Sequence, residues 1–377
     1  MNISRFGFLF ILLLTACGAL PATTQPTLTP TRFPTLPPPT ETVTATPSPE
    51  PTLPPTAVPT AVSTATPTMV PAFFTLFGEA PIVAKGAAGA WDDRYTDPGA
   101  VVFHDGQFHM FRNGFQNWPA SVQIGYVTSP DGFTWTEQGD DPVLYTDDIV
   151  YAGVAALASS ALVEEDGTWV LYFYTWDGRT YPTSGGIGRA TAPSPAGPWT
   201  PDAELVLRPG PASAWDGRHV LAPDVQKTDE GYRMYYSGYD ETGIQQIGLA
   251  TSADGLVWEK YPEPVLSPGE DGAWDANWVH QPRVVQTPDG WVMFYRGTKG
   301  AQNLAMGLGI ATSEDGIHWE KSAQTPILTA KEVPRAKYFW FTNLLYHEGT
   351  LFLFWEVDIN QTTEIYLSTH QGALEIP

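Results

Sequence analysis

The sequence predicts an all-β domain built as a five-bladed β-propeller. Three observations carry this. Strand-like segments QFHMFRNG, TWVLYFYTW, GYRMYYSGY, GWVMFYRG and TLFLFWEV recur near residues 107, 168, 231, 290 and 349, a period of about 60. The string TSPDGFTW from Thr128 returns as TSADGLVW from Thr251 and TSEDGIHW from Thr312. No amphipathic helix of convincing length interrupts these repeats.

Each unit reads alike. A first strand such as APDVQKT leads through a glycine turn into the aromatic strand, then a strand like IGYVTS, IGRATA, IGLATS or GIATS. The SxDGxxW string and a short PVL-type strand close the unit. Asp-Gly suits a tight hairpin, where Asp accepts backbone hydrogen bonds and Gly takes positive φ at little cost. Its recurrence in one register argues for scaffold, with the tryptophan packing between blades. The motif resembles the Asp-box of sialidases, one residue short. The second unit keeps a degenerate SPAGPW (Ser194 to Trp199), and the fifth has lost it. AWDD at Ala90, AWDG at Ala214 and AWDA at Ala273 read as inter-blade packing and entry to a first strand.

Ring closure follows from a displaced repeat. PVLSPGEDGAWD (Pro264 to Asp275) has its counterpart at PIVAKGAAGAWD (Pro81 to Asp92). Pro81 to Ala84 is therefore expected to be the N-terminal outer strand that joins the C-terminal blade and removes an exposed edge.

Residues 1–16 form a short apolar segment with an early Arg5, too short to span a bilayer. It ends at Leu14-Thr15-Ala16-Cys17, which resembles the bacterial lipobox and implies a lipidated Cys17; an ordinary signal peptide with an incidental thiol is the alternative. Residues 17–72 are a Thr/Pro-rich tether, too poor in large apolar side chains to offset its ordering entropy. Residues 73–377 are the propeller. The expected location is extracytoplasmic, anchored to the cell envelope by lipid alone. Cys17 is the only cysteine, so the domain does not depend on disulfides. Arg5 and Arg32 balance Glu41 and Glu50, leaving the net charge of −22 on the propeller. That argues against nucleic acid or anionic lipid as partners, and a monomer is expected.

The first strands line the channel and begin at Thr96-Asp97-Pro98-Gly99, Ala158-Ser159-Ser160, Leu221-Ala222-Pro223-Asp224, His280-Gln281-Pro282-Arg283 and Phe341-Thr342-Asn343. Five unlike sets on one scaffold are the expected signature of a site. YTDPGAVVFHDGQFHMF (Tyr95 to Phe111) resembles the first-blade signature of five-bladed glycoside hydrolases, family 32 and the related family 43. LAPDVQKTDEGYRMYYSG (Leu221 to Gly238) resembles their third-blade strand with Glu-(Cys/Gly/Ala)-Pro. The resemblance implies hydrolysis of glycosidic bonds in an oligo- or polysaccharide, with Asp97 as nucleophile or general base; the structural reading of Asp97 is a capped strand entry before Pro98. Such hydrolysis needs a second, protonated carboxyl. Leu221 stands where these families carry that acid, and their second-blade Asp is absent from ALASSALVEEDG.

Two substitutes are candidates: Asp224, or else a turn cap, and Glu356, aligned in LFLFWEVD with Arg112 and Arg296. Those three form either a structural salt bridge or a substrate-binding set, because a buried charge needs a partner. HQPRVV, with His280 and Arg283, resembles less closely the Glu-Asp-Pro-Arg of family 130, with Gln281 at the catalytic Asp. His280 and Arg283 are further substrate-binding candidates. Trp118, Trp176, Trp278, Trp340 and Tyr239 fall near loops where a ring could stack on sugar, Trp176 being the one retained as a binding candidate. No spacing matches a zinc or EF-hand site, and no metal or cofactor is expected. The competing function is a non-catalytic carbohydrate-binding propeller that lost its acid.

Overall fold

The structure is a computed structural model and describes residues 72–117, 121–178, 185–288, 290–300, 307–333, 336–337, 339–372 and 374. Residues 1–71, which hold the expected signal segment, Cys17 and all but the last residue of the expected tether, lie outside the described residues, as does Trp118.

Five antiparallel sheets follow one another around a channel, each running from an inner to an outer strand. Blade one is Tyr95–His104, Gln107–Phe115, Gln123–Ser129 and Thr136–Glu137. Blade two is Ala155–Val163, Trp169–Trp176, Ile187–Ala192 and Thr200–Pro201. Blade three is His219–Thr228, Gly231–Tyr239, Gln246–Ser252 and Glu259–Lys260. Blade four is Trp278–Thr287, Gly290–Thr298, Gly307–Ser313 and Glu320–Lys321, with Leu328–Thr329 added to its third strand. Blade five is Thr342–His347, Thr350–Ile359 and Thr362–Gln371, and its outer strand is Thr75–Leu76 from the other end of the domain.

The closing strand differs from the expected one. Thr75 and Leu76 pair with Thr369 and Ser368, while Pro81 to Ala84 adds only a bridge at Val83 to Ile365. That bridge repeats those of Leu144 to Ile124, Leu207 to Ile187 and Leu266 to Ile247. The PVL repeat thus holds a place inside the outer strand, and the edge beyond it is covered by two residues too short to be read as a strand.

The apolar faces are buried between blades. Val170, Tyr172 and Trp176 of blade two meet Val225, Met234 and Tyr236 of blade three, and Phe294 and Leu308 of blade four meet Leu351, Leu353 and Trp355 of blade five. The Asp-Gly hairpins are scaffold. Asp131 Oδ1 accepts from the Phe133 and Thr134 amides, both at 2.8 Å, and Gly132 adopts φ +79°. Asp254 and Asp315 repeat the arrangement.

Four inner strands carry a bulge, at Asp97/Ala100, Ala158/Ser160, Leu221/Asp224 and His280/Arg283. Ala222 and Gln281 take φ +50° there, a conformation costly for residues other than glycine. The inserted residue restores the phase of the strand, so Asp224 and Arg283 stand one pleat repeat, ~7 Å, deeper than Leu221 and His280. Every pair of adjacent blades is tied by a side-chain hydrogen bond, four pairs at that depth and blades one and two through Asn113 one level above. Asn113 exchanges two with the Ala158 backbone, Ser160 Oγ accepts from Val225 N, and Asp224 Oδ2 accepts from Val284 N. Arg283 Nε donates to Thr342 O, and Asn343 Nδ2 to Gly99 O.

Candidate active site

Above that ring of ties, the register brings one residue of each second strand to a common level. Asn113, Tyr174, Ser237, Arg296 and Glu356 each face a hydrophobic partner on the third strand: Ile124, Ile187, Ile247, Leu308 and Ile365. On the inner strands the same level holds Asp97, Leu157, Leu221 and His280, and in blade five Phe341, whose carbonyl accepts from Glu356 N. Leu221 and Phe341 are half-buried. Asp97, Arg296 and Glu356 are each 1 % exposed.

Three charged groups this deep need one another. Burial pushes the Asp97 carboxyl up to about 8, against the lowering effect of a hydrogen bond from Thr363 Oγ1 at 3.2 Å and of Arg296. Burial, and then the Asp97 charge, push Glu356 well above the carboxylate range; Arg296 and the amides of Trp340 (2.8 Å) and Phe341 (2.9 Å) act the other way. Burial lowers Arg296, and the Glu356 carboxyl is the strongest opposing influence. One guanidinium balances one carboxylate, so the pair holds a proton between its two members. Glu356 Oε2 receives two amide donors, which favours its charged form. Asp97 Oδ2 is buried with no partner among the described residues and is the better seat for the proton.

Two neighbours complete the cluster. The Tyr174 phenol is raised by burial and next by the Asp97 charge, with Arg296, Arg283 and Glu356 also acting on it. His280 is driven well below its ordinary value by burial and by Arg296, so its ring is neutral. Among the described residues no three His, Cys, Asp or Glu side chains converge as metal ligands.

The other candidates are placed elsewhere. Asp224 and Arg283 belong to the deeper ring, where Asp224 Oδ2 also accepts from Gln226 and Arg283 reaches across the channel to Ser159 Oγ at 3.2 Å. Arg112 is not the counterpart of Arg296. It lies opposite Gly125, as Tyr295 lies opposite Gly309, so it points to the other side of its strand. There it bonds Asp92 at 2.5 Å and Glu137 at 2.9 Å; of the expected three-way bridge only the electrostatic influence of Arg296 and Glu356 on each other remains. Trp176 is a core residue between blades two and three, Trp278 is buried with Nε1 donating to Gly243 O, and Tyr239 is buried beside His219. Trp340 is half-buried and supplies the amide on Glu356. Tyr174 and Thr363 were not foreseen; the third-strand register would have identified Tyr174, which falls at the position of Arg296 and Glu356.

The model of the glycosyl hydrolases family 32 N-terminal domain matches residues 92–275, a span that begins just before Asp97. The domain has the five-bladed fold of the glycoside hydrolases. A thermostable family-43 glycoside hydrolase superposes with a TM-score of 0.59 at 15% identity, covering 77% of this chain and 94% of its own. A family 117 glycoside hydrolase of Zobellia galactanivorans gives 0.57 at 16%, covering 81% and 93%. In sequence, the protein named Probable arabinan endo-1,5-alpha-L-arabinosidase C of Aspergillus flavus is 34% identical over 119 residues, 27% of this chain and 35% of that protein. The chain spans less than half the length of the curated relatives it matches, 44% for an uncharacterized protein of Mycobacterium tuberculosis.

Proposed function

We propose that this glycoside hydrolase propeller cleaves glycosidic bonds of an oligo- or polysaccharide, using Asp97 and Glu356 as its two carboxyl groups. The observation that carries the reading is the buried pair sharing Arg296 as counter-charge. Hydrolysis asks for a protonated carboxyl to deliver its proton to the leaving oxygen, and an ionised one to activate water or attack the anomeric carbon. The C–O bond breaks, water supplies the new hydroxyl, and the proton returns to the pair. The sequence reading gives Asp97 the ionised role. Its unpartnered oxygen and the two amides on Glu356 favour the reverse, with Asp97 as acid and Glu356 as base or nucleophile.

The similarity to a protein named as an arabinan endo-1,5-arabinosidase makes arabinan the first substrate to offer. The test is release of reducing sugar by residues 73–377 from arabinan, fructan and mannan oligosaccharides, with and without phosphate. Asp97→Asn should abolish turnover while leaving the circular dichroism spectrum unchanged. Turnover that survives removes Asp97 from the mechanism.

One observation favours a second reading, a propeller that binds glycan without cleaving it. Blade three offers apolar Leu221 at the level of Asp97. On that reading saturable binding appears without product, and Leu221→Glu introduces turnover.

We further propose that the domain works as a monomer at the cell surface, held by lipid on Cys17. Cys17→Ser should move the protein from the membrane to the soluble fraction; a protein that stays membrane-bound would refute the anchor.

A further inference from the structure

Blades three and four build to one plan the wedge where a PVL segment runs into the next blade, and blade one replaces each of its partners. In blade three, buried Asp216 accepts from Tyr236 Oη at 3.0 Å and from Lys260 Nζ at 2.6 Å, and the ammonium also donates to Arg208 O. In blade four, Asp275 holds Tyr295 at 3.2 Å and Lys321 at 2.6 Å. The lysine stem thus runs across the wedge in both. In blade one the carboxylate is Asp92, the tyrosine position is Arg112, and the lysine position is Glu137, which lies opposite Val127 as Lys260 lies opposite Ala250. Arg112 neutralises Asp92 from the tyrosine position, and among the described residues no lysine bonds that carboxylate.

A cavity of about 540 Å³ opens there, between blade one and the segment that closes blade five. Trp91, Trp135, Arg112, Glu137, Lys85 and Asp140 are among the residues that line it. The volume is that of a small-ligand site. The Glu137 side chain is 47% exposed, so its carboxylate keeps an acceptor for a ligand. Arg112 and Lys85 are matched by Asp92 and Glu137, and Asp140 disfavours anions. Indole walls with a few paired polar groups, and no excess positive charge, suit a neutral sugar.

We infer that the wedge between blades five and one is a second saccharide-binding site, separate from the channel. Holding a second stretch of the same polymer, it would raise the effective concentration of the first at the channel. The inference does not depend on turnover.

The test transplants the plan of blades three and four into blade one. Binding of arabinan, fructan and mannan oligosaccharides is measured by titration calorimetry on residues 73–377 carrying Asp97→Asn, with and without Arg112→Tyr/Glu137→Lys. Glu137→Ala, which leaves Arg112 on Asp92, serves if the double variant melts early. The expected result is a binding event that the double variant abolishes and Glu137→Ala weakens about tenfold, any channel binding being unchanged. Isotherms identical across the variants, or no binding of any of the three glycans, overturn the inference. Turnover of a short soluble substrate by the otherwise native domain should be the same with either wedge variant, so failure of the hydrolase reading is seen separately.

Discussion

Asp97 on the inner strand of blade one and Glu356 on the second strand of blade five share the Arg296 guanidinium as their counter-charge. The two carboxyls lie 259 positions apart in sequence, by subtraction of their numbers, and only the closed ring makes them neighbours.

Their burial sets a pH dependence. The Asp97 carboxyl titrates near 3.8 when unfolded and at about 8 in the fold, so between those values the native state holds the extra proton. Its contribution to stability is complete below the lower value and declines as pH rises to about 8. Thermal melts of wild type and Asp97→Asn across that window should converge at acid pH and separate at alkaline pH, with the variant the more stable. Parallel curves would show that Asp97 is ionised in the fold.

Removing the partner should cost more than removing the proton's seat. Glu356→Ala leaves the Arg296 guanidinium buried without its strongest partner, a loss of about 3–5 kcal/mol. Glu356→Gln still accepts from the Trp340 and Phe341 amides and should lose less. Urea unfolding of the two variants checks the order, and equal midpoints would contradict the pairing.

Ring closure can be shortened stepwise. Deletion to residue 72 should leave melting unchanged. Deletion through Leu76 removes the outer strand and the buried Phe74, and deletion through Val83 also removes three backbone bonds with Ile365. The last should lower the melting temperature by on the order of 10 °C. A deep deletion that melts like the full domain would mean that these contacts do not hold the ring.

The hairpin aspartates should matter to stability alone. Asp254→Ala strips two amides of their acceptor and should lower the melting temperature slightly, with glycan binding and turnover unchanged. A change in either at constant fold would reopen a chemical role for the motif.

The blades were legible because each repeats a glycine turn and an aromatic strand at one spacing, and three of them add an Asp-Gly hairpin. The placement of Asp97 and Glu356 was legible, because a single strand decides each. Placement was not legible where one residue of register decides. Arg112 precedes Asn113 while Arg296 follows Tyr295, and that offset sends the two arginines to opposite sides of their strands. Asp224 could not be placed without the bulge, which carries it past the level of Leu221 and commits it to the Val284 amide. Trp176 has the composition of a sugar platform, but only packing between blades two and three decides that it is interior.

Arg283 reaches across the channel. Its guanidinium spans from blade four to Thr342 of blade five and Ser159 of blade two, and Asn343 ties Gly99 and Ser159 beside it. These bonds stitch blades one, two, four and five together across the axis, so the inner strands cannot spread apart without breaking them.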